Sequence, residues 1–466
     1  MKKNVHSREN LFRLDGIPPI GQSFSLALQH VVAMIVGCVT PAIIIANTSG
    51  MSQADRVMLI QAALVVSGIS TLLQLFPIGG RRFRFGSGLP VIMGISFAYV
   101  PSMQAIAGQE GGVTMIAGAM LVGGAVAFII GFFVKKIRKL FPPLITGTVV
   151  FTIGLSLYPT AINYMAGGAA NTYELVVGIR GMTDALVYGS WQNWAVAILT
   201  LAVVVALNHY AKGLCKLASI LIGMAVGYAA AACFGMVSFA DVSSSGWFAS
   251  PRLMPFGIRF DLASCIAIGL LFAINSIQAI GDFTATTVGG LDREPTDREL
   301  QGGIVCYGIT NMASALFGGL PTATYSQNVG IVSTTKVVNR IVLGMAAGVI
   351  LLAGFIPKFS ALLTTIPQCV LGGATITVFS SIAMTGMKLI TGSGMDGRSS
   401  AIVGLAAALG VGVAQAADSI GQLPEQVTII IGKSPVVLAT IVAIVLNIIL
   451  PKEKKEQKHE KDNTQR

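Results

Sequence analysis

Charge is what this chain has least of. Asp, Glu, Lys and Arg make up 11% of its 466 residues, against 53% hydrophobic ones. That excludes an ordinary soluble globule, which carries about 25% charged residues. The six cysteines (Cys38, Cys215, Cys233, Cys265, Cys306, Cys369) are scattered in or beside apolar runs. They lack the spacing of a metal site or a disulfide framework and read as small packing residues. No Cys-His pair, metal-ligand cluster or nucleotide-cradling loop is present, so the chain reads as neither a membrane enzyme nor an ATPase, and no cofactor is expected. The glycine-rich stretch from Gly118 to Gly124 lies within an apolar run, where glycines permit close helix packing. Short alternating segments are also missing, which argues against a β-barrel. The net charge of +11 sits in loops and tails rather than on an aromatic-interleaved face, so a nucleic-acid partner is not expected.

Long apolar runs fill the remainder, approaching or exceeding the roughly 20 residues needed to span a bilayer as helix. Fourteen segments are predicted, the first at 23–46, the third at 89–108, the eighth at 262–289, the tenth at 322–338 and the last at 434–450. The first run has no small-residue cleavage site after it and reads as a retained helix. With the N-terminus inside, alternate connections receive Arg81, Arg82 and Arg84, then Lys135, Lys136, Arg138 and Lys139, then Lys212, Arg293 and Arg298, Lys336 and Arg340, and Lys388 and Arg398. Only Arg56, Arg180, Arg252, Arg259, Lys358 and Lys433 fall on the other side. This follows the positive-inside rule through every crossing. The expected architecture is an all-α polytopic membrane protein in a cell membrane, with a cytoplasmic tail at 1–22, halves at 23–237 and 238–450, and a cytoplasmic tail at 451–466.

Two matched interruptions give the architecture a function. Gly88-Leu89-Pro90 precedes Ser96, and Gly319-Leu320-Pro321 precedes Gln327-Asn328 at the same offset, in segments three and ten. Seven segments apart, equivalent elements are oppositely oriented, as in an inverted repeat whose broken helices hold a transporter's substrate site. Proline disfavours helix before it, so each segment is expected to enter extended and continue as a half-helix from near Ser96 or Gln327. The N–H groups of those half-helices would then point at the middle of the bilayer. The plainer alternative is a pair of ordinary kinks.

Polar residues inside the apolar segments are few. Asp282 lies well within the eighth segment, where burial of a carboxylate is costly. It is either an ion-coupling group or a structural one fixed by Thr284, Thr286 or backbone amides of the tenth segment. Gln278 lies one helical turn earlier on the same face, which extends back to Asn275. A glutamine amide both donates and accepts, matching a heterocycle of alternating N–H and C=O groups, and it could equally bridge helices. His30 is the only histidine within a segment and reads as a brace reaching the tenth. A small-anion exchanger of the same architecture remains the competing class.

The residues from Gln327 to Lys336 (Gln327-Asn328-Val329-Gly330-Ile331-Val332-Ser333-Thr334-Thr335-Lys336) fit a family signature. So do Gln29-His30, the stretch from Ala279 to Thr286, and Gly302-Gly303. Together they resemble the nucleobase–ascorbate transporters over almost the whole chain. The resemblance implies two inverted seven-segment repeats, with segments one to four and eight to eleven forming a core and the others a gate, moving like an elevator. It implies a homodimer, proton symport, and a substrate between segments three, eight and ten. Substrate-binding residues would be Gln278, Gln327, Asn328, Ser96 and Phe97, supported by Asp282, His30 and Tyr307. Gln at the head of the signature favours an oxidised purine, xanthine or urate, over uracil. The chain departs from the family at Gln278 and Tyr307, where acidic residues are usual.

Overall fold

A computed structural model describes residues 8–80, 84–134, 142–168, 187–424, 428, 432 and 434–451. Residues 1–7 and 452–466 of the tails, Arg81 and Arg82, the basic run 135–141, Arg180 and Lys433 lie outside these residues. The architecture is all-α apart from two three-residue strands. Its helices are α1 (Ile20–Thr48), α2 (Gln53–Leu75), α3 (Val100–Ala107), α4 (Gly112–Phe132), α5 (Pro143–Met165), α6 (Trp191–Tyr210) and α7 (Ser219–Cys233). They continue with α8 (Leu262–Leu291), α9 (Asp297–Leu316), α10 (Ser326–Thr335), α11 (Arg340–Gly354) and α12 (Pro357–Thr364). The last three are α13 (Gln368–Gly392), α14 (Gly397–Gln415) and α15 (Pro435–Ile449).

Among the described residues, eight helices are long and apolar enough to cross a membrane, and α11 and α12 are together long and apolar enough for a broken span or a re-entrant loop, with a bend of 83° between them. Large apolar side chains such as Phe24, Ile129, Ile198 and Ile448 face outward, as a lipid-embedded surface requires. The helices sort into two bundles. In the first, α1, α2, α4, α8, α9 and α11 pack together, and in the second α5, α6, α7, α13, α14 and α15 do so. Glycine sets how near the helices come: a Cβ on Gly124 would lie 2.7 Å from the Gly308 carbonyl oxygen, and one on Gly308 2.6 Å from that of Gly124. The backbones of α4 and α9 therefore touch where a side chain would separate them.

Segments three and ten are broken as their prolines require. β1 (Met93–Ile95) leads through a 3-10 turn at Phe97–Tyr99 into α3, and β2 (Thr322–Thr324) leads into α10. The strands pair antiparallel in the middle of the molecule, Met93 with Thr324, Gly94 with Ala323 and Ile95 with Thr322. Sequence reasoning anticipated extended entry but not this pairing. Lipid offers no partner to a strand's outer edge, so side chains supply one. Thr71 of α2 accepts from Met93 N–H at 2.9 Å and donates to its carbonyl at 3.1 Å. On the other side, Asn311 of α9 accepts from Thr322 N–H at 2.7 Å and donates to its carbonyl at 3.2 Å.

Candidate substrate site

The strand pair brings the first turns of both half-helices to one cavity of about 180 Å³. This is smaller than the roughly 300–1,000 Å³ typical of drug-sized ligands and suits a compact one. The first bundle contributes Ser96, Phe97 and Ala98 from the α3 side, Gln278 from α8, and Thr324, Tyr325, Ser326 and Gln327 from the α10 side. The second bundle closes the opposite wall with Val150 and Ile153 of α5 and Ser381, Ile382 and Thr385 of α13. Ser96 and Phe97 are buried at the base, while Gln327, Ser381 and Thr385 are exposed at the mouth. The cavity therefore straddles the seam between bundles. Phe97 crosses that seam edge-on to Phe379 of α13, ring centroids 5.2 Å apart.

Among the described residues, no charged side chain lines the cavity. Its polar character comes from the Gln278 and Gln327 amides, neither of which has a protein hydrogen-bond partner among the described residues. The Ser326 and Gln327 N–H groups at the start of α10 add to it, having no hydrogen-bond partner among the described residues, and they carry the positive end of the helix dipole, whereas the Asn328 N–H is taken by the Tyr325 carbonyl at 3.0 Å. Ser96 caps its own turn, accepting from Ala98 N–H at 3.2 Å. Amides, hydroxyls and free N–H groups beside an aromatic ring can hold a planar ligand whose edge alternates donors and acceptors.

The remaining expected residues stand behind this lining. Asp282 is buried and accepts from the hydroxyls of Thr324 and of Ser326, the latter at 2.9 Å. Thr284 and Thr286, which sequence reasoning offered as its partners, instead donate to carbonyls of their own helix, Ile280 and Asp282, each at 2.8 Å. The tenth segment does hold the carboxylate, through side chains rather than backbone amides. Asn328 faces away from the cavity, its amide nitrogen 3.0 Å from His30 Nδ1 and donating to the His30 carbonyl at 3.2 Å. Asp282 and His30 thus tie α8 and α1 to the first turn of α10, fixing where Gln327 sits. Tyr307 lies outside the cavity, fully buried, its hydroxyl bonded to that of Tyr99 and its ring against Phe272. A phenol in the core between α3 and α9 finds its partner in another phenol there, away from the cavity lining. Asn275 donates back to the Leu271 carbonyl at 3.1 Å and is likewise buried.

A family model described as Permease family matches residues 21–419. The chain is 32% identical over 437 residues to the uric acid permease PucJ of Bacillus subtilis, covering 93% of this chain and 94% of that one. It is 33% identical over 446 residues to a xanthine permease of Bacillus subtilis, covering 95% and 97%, and 30% identical over 454 residues to the xanthine permease XanQ of Escherichia coli K12, covering 95% and 94%. Among solved structures it resembles the transmembrane domain of a cyanobacterial bicarbonate transporter, BicA, with a TM-score of 0.56 at 16% identity, covering 92% of this chain and 98% of that one. The murine anion transporter Slc26a9 gives a TM-score of 0.55 at 10% identity, covering 92% and 68%. At such identities the structures share the fold alone.

Proposed function

Because the chain belongs to this permease family, the nucleobase–ascorbate transporters, we propose that it carries an oxidised purine, xanthine or urate, across the cell membrane. One observation carries the reading: two amides, Gln278 and Gln327, which have no hydrogen-bond partner among the described residues, meet between two half-helix N-termini at a cavity that no described charged side chain lines. The pyrimidine edge of an oxidised purine alternates N–H and C=O, and a pair of amides can satisfy both kinds of group. Permeases of xanthine and uric acid about 30% identical over nearly the whole chain support the same substrate class.

Transport would proceed by movement of the first bundle against the second, carrying Gln278, Gln327, Ser96 and Phe97 past the wall formed by α5 and α13. In this reading 23–237 and 238–450 are the inverted repeats, supported by the matched strands and their matched edge partners Thr71 and Asn311. Both termini are cytoplasmic, as the distribution of Lys and Arg supports. Asp282 is the coupling group for proton symport, supported by its burial at membrane depth. The outer helices of the second bundle would form a homodimer. Uracil transport and small-anion exchange are the competing functions. The exchanger is disfavoured because no basic side chain enters the cavity.

The test is uptake of radiolabelled xanthine into proteoliposomes, challenged with unlabelled urate, uracil, guanine or bicarbonate, with and without an inward proton gradient. Saturable uptake blocked by urate and not by uracil is expected, with accumulation dependent on the gradient. Inhibition by bicarbonate without competition from any nucleobase would overturn the purine reading in favour of the exchanger.

A further inference from the structure

We infer that Ser381 and Thr385, on the second bundle, read the imidazole side of the purine and set the choice between urate and xanthine. This rests on the proposed purine transport and assigns to that site residues outside the half-helices and α8.

The two side chains lie four residues apart on α13, on one face, and both line the cavity opposite Gln278 and Gln327. The rest of that wall is apolar: Val150, Ile153 and Ile382. The two hydroxyls lie at the mouth, so a polar ligand group turned toward this wall meets either them or water, and it depends on them once the bound ligand fills the mouth and excludes that water. The hydroxyls differ in what they offer. Thr385 Oγ1 donates its proton to the Ser381 carbonyl at 2.8 Å, which leaves it only lone pairs for a ligand. The Ser381 hydroxyl has no protein partner among the described residues and can donate or accept.

Purine geometry turns this difference into selectivity. Once the amides engage the pyrimidine edge, the five-membered ring points across the seam toward α13. Xanthine and urate share N1–H and the C2 and C6 carbonyls of the pyrimidine ring; besides the N3 proton that urate loses at neutral pH, they differ at C8, which carries hydrogen in xanthine and a carbonyl oxygen in urate. Ser381 donates to that oxygen, and Thr385 accepts from the ring N–H that both purines possess. Discrimination therefore falls on the wall rather than on the amides. A site built to hydrogen-bond a substrate group rejects the analogue lacking it more sharply than an apolar pocket can.

The test measures inhibition of radiolabelled xanthine uptake by unlabelled xanthine and urate in the wild-type protein and in Ser381→Ala, Ser381→Thr and Thr385→Val, each normalised to folded protein in the membrane. Ser381→Ala should weaken urate by about tenfold, the scale of one lost hydrogen bond to a buried acceptor, and xanthine by less than about twofold. Ser381→Thr keeps a hydroxyl but lets its proton turn back to the helix carbonyl four residues earlier, as that of Thr385 does, so it should behave like Ser381→Ala. Thr385→Val should weaken both purines together. An unchanged urate-to-xanthine ratio in Ser381→Ala, or a ratio that moves in Thr385→Val, would overturn the assignment while leaving purine transport standing. A wild-type protein that takes up neither purine refutes the transport reading itself, and the assignment falls with it.

Discussion

Replacing Asp282 separates the two tasks its position suggests. The carboxylate holds Thr324, at the end of β2, and Ser326, at the start of α10, so it fixes the segment that presents Gln327. Asp282→Ala strands the buried hydroxyl of Thr324, at about 1–3 kcal/mol, and the half-buried one of Ser326, at less. Together these are an appreciable part of the roughly 5–15 kcal/mol by which a typical domain is stable. A lowered Tm in detergent and loss of xanthine binding are expected. Asp282→Asn is different, because an amide can accept from one hydroxyl and donate to the other. Its Tm should stay near that of the wild type, and its Kd for xanthine within about threefold, or about 0.7 kcal/mol. What the amide cannot do is take up and release a proton. Asp282→Asn should therefore still exchange labelled for unlabelled xanthine across the proteoliposome membrane but no longer accumulate it in response to an inward proton gradient. Gradient-driven accumulation by Asp282→Asn would refute the coupling role. Loss of binding at unchanged Tm would show instead that the carboxylate meets the ligand directly.

Three further outcomes follow from the same geometry. His30→Ala removes one of two acceptors for the Asn328 amide and should weaken xanthine binding about fivefold, while Asn328→Ala, which removes both bonds, should cost more; scintillation proximity binding on purified protein orders the two. A Cβ at Gly94 would lie 2.6 Å from Tyr325 Cζ and 2.9 Å from Cys38 Sγ, so Gly94→Ala should abolish the monodisperse peak in fluorescence size-exclusion chromatography; a wild-type profile would contradict the close approach of β1 to that ring. Gln278→Glu brings a negative charge to an uncharged cavity and should weaken uptake of urate, largely anionic at neutral pH, more than that of xanthine; an equal loss for both would remove the charge argument.

How far the sequence could be read depended on the range of the interaction. Pro90 and Pro321 act within a few residues, so both interruptions and the half-helices after them were legible, whereas the grouping of Gln278 with Gln327 was only implied by the family resemblance. The strand pair was not legible, because three residues such as Met93 to Ile95 are too few to show an alternating pattern and their partner is distant in sequence. The partners of Asp282 were misjudged for a related reason. Thr284 and Thr286 are its neighbours along the chain, but helical hydroxyls readily bond to the carbonyl four residues back, which left the carboxylate to Thr324 and Ser326. Ser381 and Thr385 gave no local signal, since hydroxyls are common in apolar helices and only the docking of α13 turns these two toward the cavity. Tyr307 was weighed by its place in a family pattern, whereas its ring and hydroxyl are satisfied by Phe272 and Tyr99.

The paired strands also order events during synthesis. A nascent chain that has reached the end of its first half has already made Met93 to Ile95, yet Thr322 to Thr324, which complete their hydrogen bonding, have not been translated. Until then β1 has Thr71 of α2 and Cys38 of α1 beside it but no strand, and the first half waits in the membrane with peptide groups that lipid cannot solvate. Contacts between residues so far apart in sequence form late, after loop closure has been overcome. The first half is thus inserted early and finished last, by a strand from the other end of the chain.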